Sequence, residues 1–317
     1  MRSVLGYTAA SRSVTSQQAF ESATKFLVAN MLRSLAKKLE IEMLYGQHGY
    51  GEVGAVSGQT VTVDTAEWAP GIWAGSEGMP IEIRDATLAV SRGVFTITTV
   101  NMSTRVITVD SSAAAAGVVA TDVIYHRGAF GNEFPGIHQI LTQSSGSLFN
   151  IPVGQYNLFR GNQYSASTAA LSFSKLNLAA ARAVEKGLDG MLYCLVNVRG
   201  WSDMLNDQAA LRRYDGSYSR ERLEQGSERL LFHSQNGVLE IEPSIYIKEG
   251  YAYLLSLNDW MRVGSADMTF KRPGSGDEFF RDLENAAGYE LRLWSDQAIF
   301  CMAPGRSVII TNIVNSN

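Results

Sequence analysis

Residues 16 to 54 read SQQAFESATKFLVANMLRSLAKKLEIEMLYGQHGYGEVG. Phe20, Leu27, Met31, Leu35, Leu39 and Met43 recur at spacings of four and seven, and Val28, Leu32 and Leu44 widen that row into a stripe, the period of an amphipathic helix. Neither proline nor glycine falls between Ser16 and Tyr45. At 1.5 Å per residue the helix would run roughly 45 Å, more than twice the average length, so packing is expected along most of it. Thr15 is placed to cap its start, with Gln18 reaching back to the cap amide. Gly46 to Gly54 is its glycine-rich exit.

Composition sets the frame. The chain has 317 residues, 45% of them hydrophobic and 18% charged, a normal globular balance with room for two or three domains. A formal charge of −4 and a pI near 5.7 argue against a dedicated nucleic-acid reader, which would carry a basic surface. Cys194 and Cys301 each sit in an apolar, strand-like run and read as buried free thiols rather than a disulfide. No apolar run approaches the roughly 20 residues of a membrane span, and the N-terminus lacks a secretory apolar core.

Past the helix the texture changes. Thr60–Val63, Ile81–Ile83, Phe95–Thr98 and Val106–Val109 alternate and are rich in Val, Ile and Thr, which predicts a small β-barrel or sandwich. Val61-Thr62-Val63-Asp64 and Ile107-Thr108-Val109-Asp110 echo each other, with Gly71 and Gly117 seven residues beyond the aspartates. From Phe134 the pattern predicts helices at 179–186, 201–213 and 278–286, and strands at 191–196, 238–247, 251–255, 290–293, 298–301 and 308–313. Irregular alternation of this kind is α+β rather than doubly wound. Two polar loops, 212–226 and 271–277, are expected to project.

Sites of chemistry are scarce. Gly49-Tyr-Gly-Glu-Val-Gly54 has the letters of a dinucleotide fingerprint, but it follows a helix and precedes a strand, the reverse of what pyrophosphate binding needs. His48, His126, His138 and His233 are scattered, with no partner at metal-ligand spacing. Glu40 with Glu42, and Asp277 with Glu278, diverge on a helix. No nucleophile elbow surrounds any serine. No catalytic, cofactor or metal residue is therefore assigned, and no enzyme activity is expected. Trp68, Trp73 and Tyr50 suit either a barrel core or an aromatic sugar platform.

Several segments in order resemble the major capsid protein of tailed bacteriophages, the Hong-Kong-ninety-seven-type fold shared with encapsulins. Lys38-Leu-Glu-Ile-Glu-Met-Leu-Tyr-Gly46 is similar to the end of that family's spine helix. Phe134-Pro-Gly-Ile-His-Gln-Ile-Leu141 is similar to the Gly-Ile step that follows the spine closely in simpler members. Met191 to Leu205, Gly250 to Leu255 and Glu290 to Ile313 resemble its later strands and helix.

The resemblance implies an α+β phage capsid fold. Residues 1–48 would supply an N-terminal strand and spine helix, 49–133 an inserted small β-barrel or sandwich, 134–255 mainly the axial domain, and 256–317 the return to the peripheral domain. Val4–Ala10 looks like the returning strand of the family's extended loop, so the chain is expected to begin partway through a longer product. It further implies a structural coat protein that self-assembles as hexamers and pentamers into an icosahedral virion shell in the bacterial cytoplasm. Its expected partners are scaffolding and portal proteins and packaged double-stranded DNA, with no cofactor and no membrane. Arg212, Arg213, Tyr214, Arg220, Lys271 and Arg272 are the candidate subunit contacts. Arg160 and Arg182 are candidates to face DNA, against the plainer reading of solvated or paired arginines. The alternatives are a glycan- or host-surface-binding β module built on Trp68 and Trp73, and an encapsulin-like compartment shell.

Overall fold

The computed structural model describes residues 1–6, 17–207, 230–234, 237–271, 280–284 and 288–316, with side chains omitted at 17–23, 230–234 and 237. Two compact units emerge, Met1–Met43 with Arg262–Phe300, and Leu44–Met261 with Cys301–Asn317. The expected cap at Thr15 lies outside the described residues, as do Arg212, Arg213, Tyr214, Arg220 and Arg272. Lys271 is described and exposed.

In the first unit, strand β1 (Arg2–Gly6) pairs antiparallel with Gly288–Arg292, from Arg2 opposite Arg292 to Gly6 opposite Gly288. Arg281–Asp282 pairs on the other edge. Helix α1 (Gln17–Tyr45) lays Leu27, Val28, Met31, Leu32 and Leu35 against Leu291, Leu293, Phe270 and Phe280. Packing follows the expected stripe and continues into Ile41, Leu44 and Tyr45, all buried. Met31 is buried, but Leu27, Val28, Leu32, Leu35 and Leu39 are only half-buried and Phe26 is 70% exposed. A narrow three-stranded sheet can cover only one face of a helix. The helix expected at 278–286 is also corrected, because Arg281 and Asp282 are strand residues opposite Glu290 and Tyr289. Gly288 (φ 156°) lies close under the Leu5 carbonyl, and ladder pairing there prevails over a weak helical pattern.

A closed six-stranded barrel opens the second unit. Its strands β2 (Gly51–Ser57), β3 (Thr60–Val63), β4 (Pro80–Arg84), β5 (Ser91–Asn101), β6 (Val106–Val109) and β7 (Val123–His126) run in the order β2-β3-β6-β5-β4-β7. Alternation aims Val53, Val61, Val63, Ile81, Ile83, Phe95, Ile97, Ile107, Val109 and Ile124 inward, where all are buried. Trp68 and Trp73 are 2% and 1% exposed, their rings stacked at 6.0 Å. They are core, which removes the sugar platform. The two echoing strands, β3 and β6, pair with each other, Val61 opposite Ile107. Their trailing glycines serve different needs. Gly71 lets the backbone approach Ile245 and Tyr246, whereas Gly117 (φ 80°) makes a turn.

The rest of the unit is a six-stranded mixed sheet ordered 163–169, 308–313, 252–255, 192–196, 237–243, 230–234. After the short helix α2 (Ile137–Thr142), helix α3 (Phe173–Val184) is capped by the Ser172 side chain and helix α4 (Val198–Asn206) by Asn197. Phe173, Leu176, Ala179, Ala180 and Ala183 of α3 and Met204 of α4 bury against Cys194, Val196, Leu254 and Ile310. The last strand thus belongs to this sheet, whereas the sequence reading grouped 256–317 together. Its Ile310 lies opposite Ala252 and its Ile309 opposite Tyr253. Both cysteines are free and buried.

Candidate functional site

Helix α1 ends where Gln47 takes a left-handed φ of 65°, and the His48 and Gly49 amides donate to the Tyr45 carbonyl. The exit is tightly packed rather than loose: a Cβ on Gly49 would sit 2.3 Å from Val123. At the barrel's far end the chain returns to the same point. The Gly136 amide donates to the Gly46 carbonyl at 2.9 Å, and a Cβ on Gly136 would stand 2.5 Å from the Gly46 nitrogen. Glu133 closes the loop by accepting from the Gln47 amide at 2.9 Å and from the Tyr50 hydroxyl.

Around this closure lies a buried polar cluster. Lys248 is fully buried, and its ammonium donates to Glu67 at 2.5 Å and to the Gly49 carbonyl at 3.0 Å, 4.4 Å from the Tyr45 ring centre. Tyr251 donates to the other Glu67 oxygen at 2.6 Å. Tyr45 accepts from the Lys248 amide and donates to the Tyr246 carbonyl. The His48 ring stacks on His138 at 3.7 Å and lies 3.9 Å from Glu67. His138 Nδ1 shares a hydrogen bond of 2.9 Å with Tyr253. The strand at 252–255 makes this possible, because it is buried on both faces: Ala252 and Leu254 enter the sheet core while Tyr253 turns to His138.

The electrostatics follow from burial. Burial alone would raise Glu67, but the Lys248 charge overrides it and holds the carboxyl well below its usual range. Burial lowers Lys248, with Glu67 opposing. Burial, then the Lys248 charge, lowers His48; burial, then His48 and Lys248, holds His138 well below its ordinary value. Glu133 is raised by burial, against the hydrogen bonds from Tyr50 and Gln47. Glu67 is therefore held ionised beside Lys248, while burial disfavours charge on both imidazoles.

Three backbone hydrogen bonds strap the barrel to segment 244–251: Gly71 amide to Ile245 carbonyl (2.8 Å), Glu249 amide to Trp68 carbonyl (3.0 Å) and Gly250 amide to Ala66 carbonyl (2.8 Å). Gly250 has no room for a side chain, since its Cβ would meet that of Ala66 at 2.7 Å. No part of Lys248 reaches solvent, so its ammonium is held by protein groups of several elements. The described residues contain no cluster of three metal-ligating side chains and no helix long and apolar enough to cross a membrane.

Sequence spacing could not reveal this cluster, whose members lie up to 208 positions apart along the chain, from Tyr45 to Tyr253. The candidate arginines are more mundane. Arg182 donates to the Gln163 carbonyl and its guanidinium lies 5.2 Å from the Tyr164 ring centre; Arg160 is exposed. Lys271 donates its amide to Thr269.

No protein-family model matches the chain, and no curated protein does. Partial likenesses exist among solved structures. The capsid asymmetric unit of cyanophage A-1(L) is 12% identical, with a TM-score of 0.40, 58% of this chain and 61% of that one being covered. The holo-SrpI encapsulin complex of Synechococcus elongatus PCC 7942 gives 10%, 0.32, 49% and 54%, and the virus-like particle of Pyrococcus furiosus gives 13%, 0.29, 47% and 55%. A capsid, an encapsulin and a virus-like particle are the kind of protein that the motif order resembles. The chain spans about six-tenths or less of each. At these values the assembly and contents of those particles do not transfer to it.

Proposed function

We propose that this chain is a shell-forming structural protein, a major capsid subunit of the tailed-phage type, and not an enzyme. The observation that carries the reading is the closure between Gly46 and Gly136. Take away the barrel, and the end of the long helix leads directly into Gly136-Ile137, the order in which the capsid family joins its spine helix to its next domain. The barrel between them is then an insertion.

A second feature fits assembly. Among the described residues, strands Trp260–Thr269 and Trp294–Cys301 form a two-stranded ribbon with Val263 51%, Met268 36% and Trp294 37% exposed. An isolated two-stranded sheet is marginal in water and its open edges invite further strands, and a neighbouring subunit would satisfy both. On this reading the DNA-enclosing virion shell, the host cytoplasm as assembly site, and scaffolding and portal partners are the accompanying proposals, together with Lys271 as a subunit contact.

Light scattering and negative-stain microscopy test the reading on this chain and on the longest translated product that contains it. Closed shells from either, with ribbon peptides 262–269 gaining amide protection on assembly, are expected. Small species from both at every concentration would overturn it.

A further inference from the structure

The buried cluster is balanced for one cation and has two more groups able to become one. His48 and Tyr45 face it from the helix exit. From the barrel come Tyr50, Glu52 and Glu67, with Asp64 and His126 beyond; from α2 comes His138; from segment 244–251 come Lys248, Glu249 and Tyr251; from the sheet comes Tyr253. Glu67 is occupied by Lys248 and Tyr251. Glu133 is held by Gln47 and Tyr50, and Glu249 faces Arg105 at 3.9 Å and Arg199 at 3.5 Å. Glu52 is half-buried at the margin. The carboxylate nearest the imidazoles, Glu67 at 3.9 Å from His48, is thus already shared with Lys248 and Tyr251.

We propose that the stacked His48 and His138 are a proton-operated latch, which when neutral lets the barrel sit on segment 244–251 and when protonated drives residues 66–71 off it. With the barrel seated, a charge on either imidazole stands beside Lys248 or against the other ring, 3.7 Å away. The His48 side chain is 28% exposed and His138 is buried; lifting the 66–71 backbone away opens both rings further to water, where a proton is accepted freely. The sign follows from linkage. Both histidines are held below the ordinary value near 6.5 while the barrel is seated. Well above a pH of about 6.5 neither state binds the protons, and as the pH falls through it the opened state binds them more readily than the seated state. The opening constant therefore rises by up to about tenfold per pH unit for each histidine released.

Amide exchange of the whole chain, corrected for intrinsic rates, reads this out. Between about pH 6.5 and 5.5, peptides covering 66–74 and 244–251 should lose about fivefold to thirtyfold protection, while 192–196 and 308–313 keep theirs. Unchanged protection down to pH 5, or an even loss across all four peptides, would overturn the proposal. His48→Gln should shrink the step, and a full step in that variant would exclude His48. Imidazole NMR of the unaltered chain needs no substitution. The His48 and His138 resonances should stay neutral until protection is lost, and titration near 6.5 with the strap amides still protected would refute the latch.

Discussion

Replacing Glu67 by Gln removes the one counter-charge that the described residues place within hydrogen-bond reach of a fully buried ammonium. At 2.5 Å and an effective dielectric near 20, the Coulomb attraction is about 7 kcal/mol. The amide oxygen of Gln recovers part of it, the Gly49 carbonyl and Tyr45 ring stay in place, and the net destabilisation should be roughly 3–5 kcal/mol, the usual penalty for orphaning one member of a buried pair. Lys248→Met with Glu67→Gln removes both charges and keeps the volume, so the double variant should return to within about 2 kcal/mol of the parent. Because the chain has two units, one global unfolding energy would mix them. The opening free energy of segment 244–251, from native-state amide exchange at pH 7.5, is the appropriate measure. The single variant carries a further signature. Lys248 would then titrate below its unfolded value near 10.4 without an opposing anion, so the unfolded state would bind more protons between the two values and stability would rise with pH. A Glu67→Gln loss under about 1 kcal/mol, or a double variant no better than the single, would refute the view that this pair fastens the barrel.

Gly136→Ala should destabilise by about 1–3 kcal/mol, because the new methyl meets only backbone at Leu44, Tyr45 and Gly46. Gly154→Ala, with open space around it, should stay within about 0.5 kcal/mol; thermal melts of the pair compare them, and equal shifts would count against the closure. Burial raises the Cys194 thiol far above its ordinary value and Cys301 to about 12, so both should resist an aromatic disulfide reagent at pH 8 until denaturant is added. Reaction of the native chain at the rate of a free cysteine would show that one of them is accessible.

What could be read ahead of the structure were the features written in local periodicity. The alternation at Thr60–Val63 and Val106–Val109 fixed both strand positions and inward faces, since the buried positions are Val61, Val63, Ile107 and Val109. The apolar row from Leu27 to Met43 placed the long helix. Amplitude was less legible than position. A helical stripe reports which face is apolar, whereas how deeply it is buried depends on the width of the partner, and beside three short strands Leu27, Val28, Leu32 and Leu35 are only half-buried.

The polar cluster was illegible for a different reason, and that reason bears on what the cluster does. Each member has a bland local reading: His48 and Gly49 as a helix exit, Glu67 as a turn residue, Lys248 as a surface lysine, His138 as a helical polar residue. Only tertiary closure brings them within 4 Å, and the contacts of Lys248 and His48 with Glu67 are the ones that would part if residues 66–71 left their seat. A fully buried ion pair is weak evidence for stability, since an apolar core of equal volume would do as well or better. What such a pair adds is conditionality. An apolar seat binds at any pH, whereas a seat made of one balanced pair and two uncharged imidazoles binds only while that balance holds. The same residues that make this junction costly to fold are the ones that would let protons undo it without touching the sheet core beneath, where Leu254, Ile310 and Val196 carry no charge to titrate.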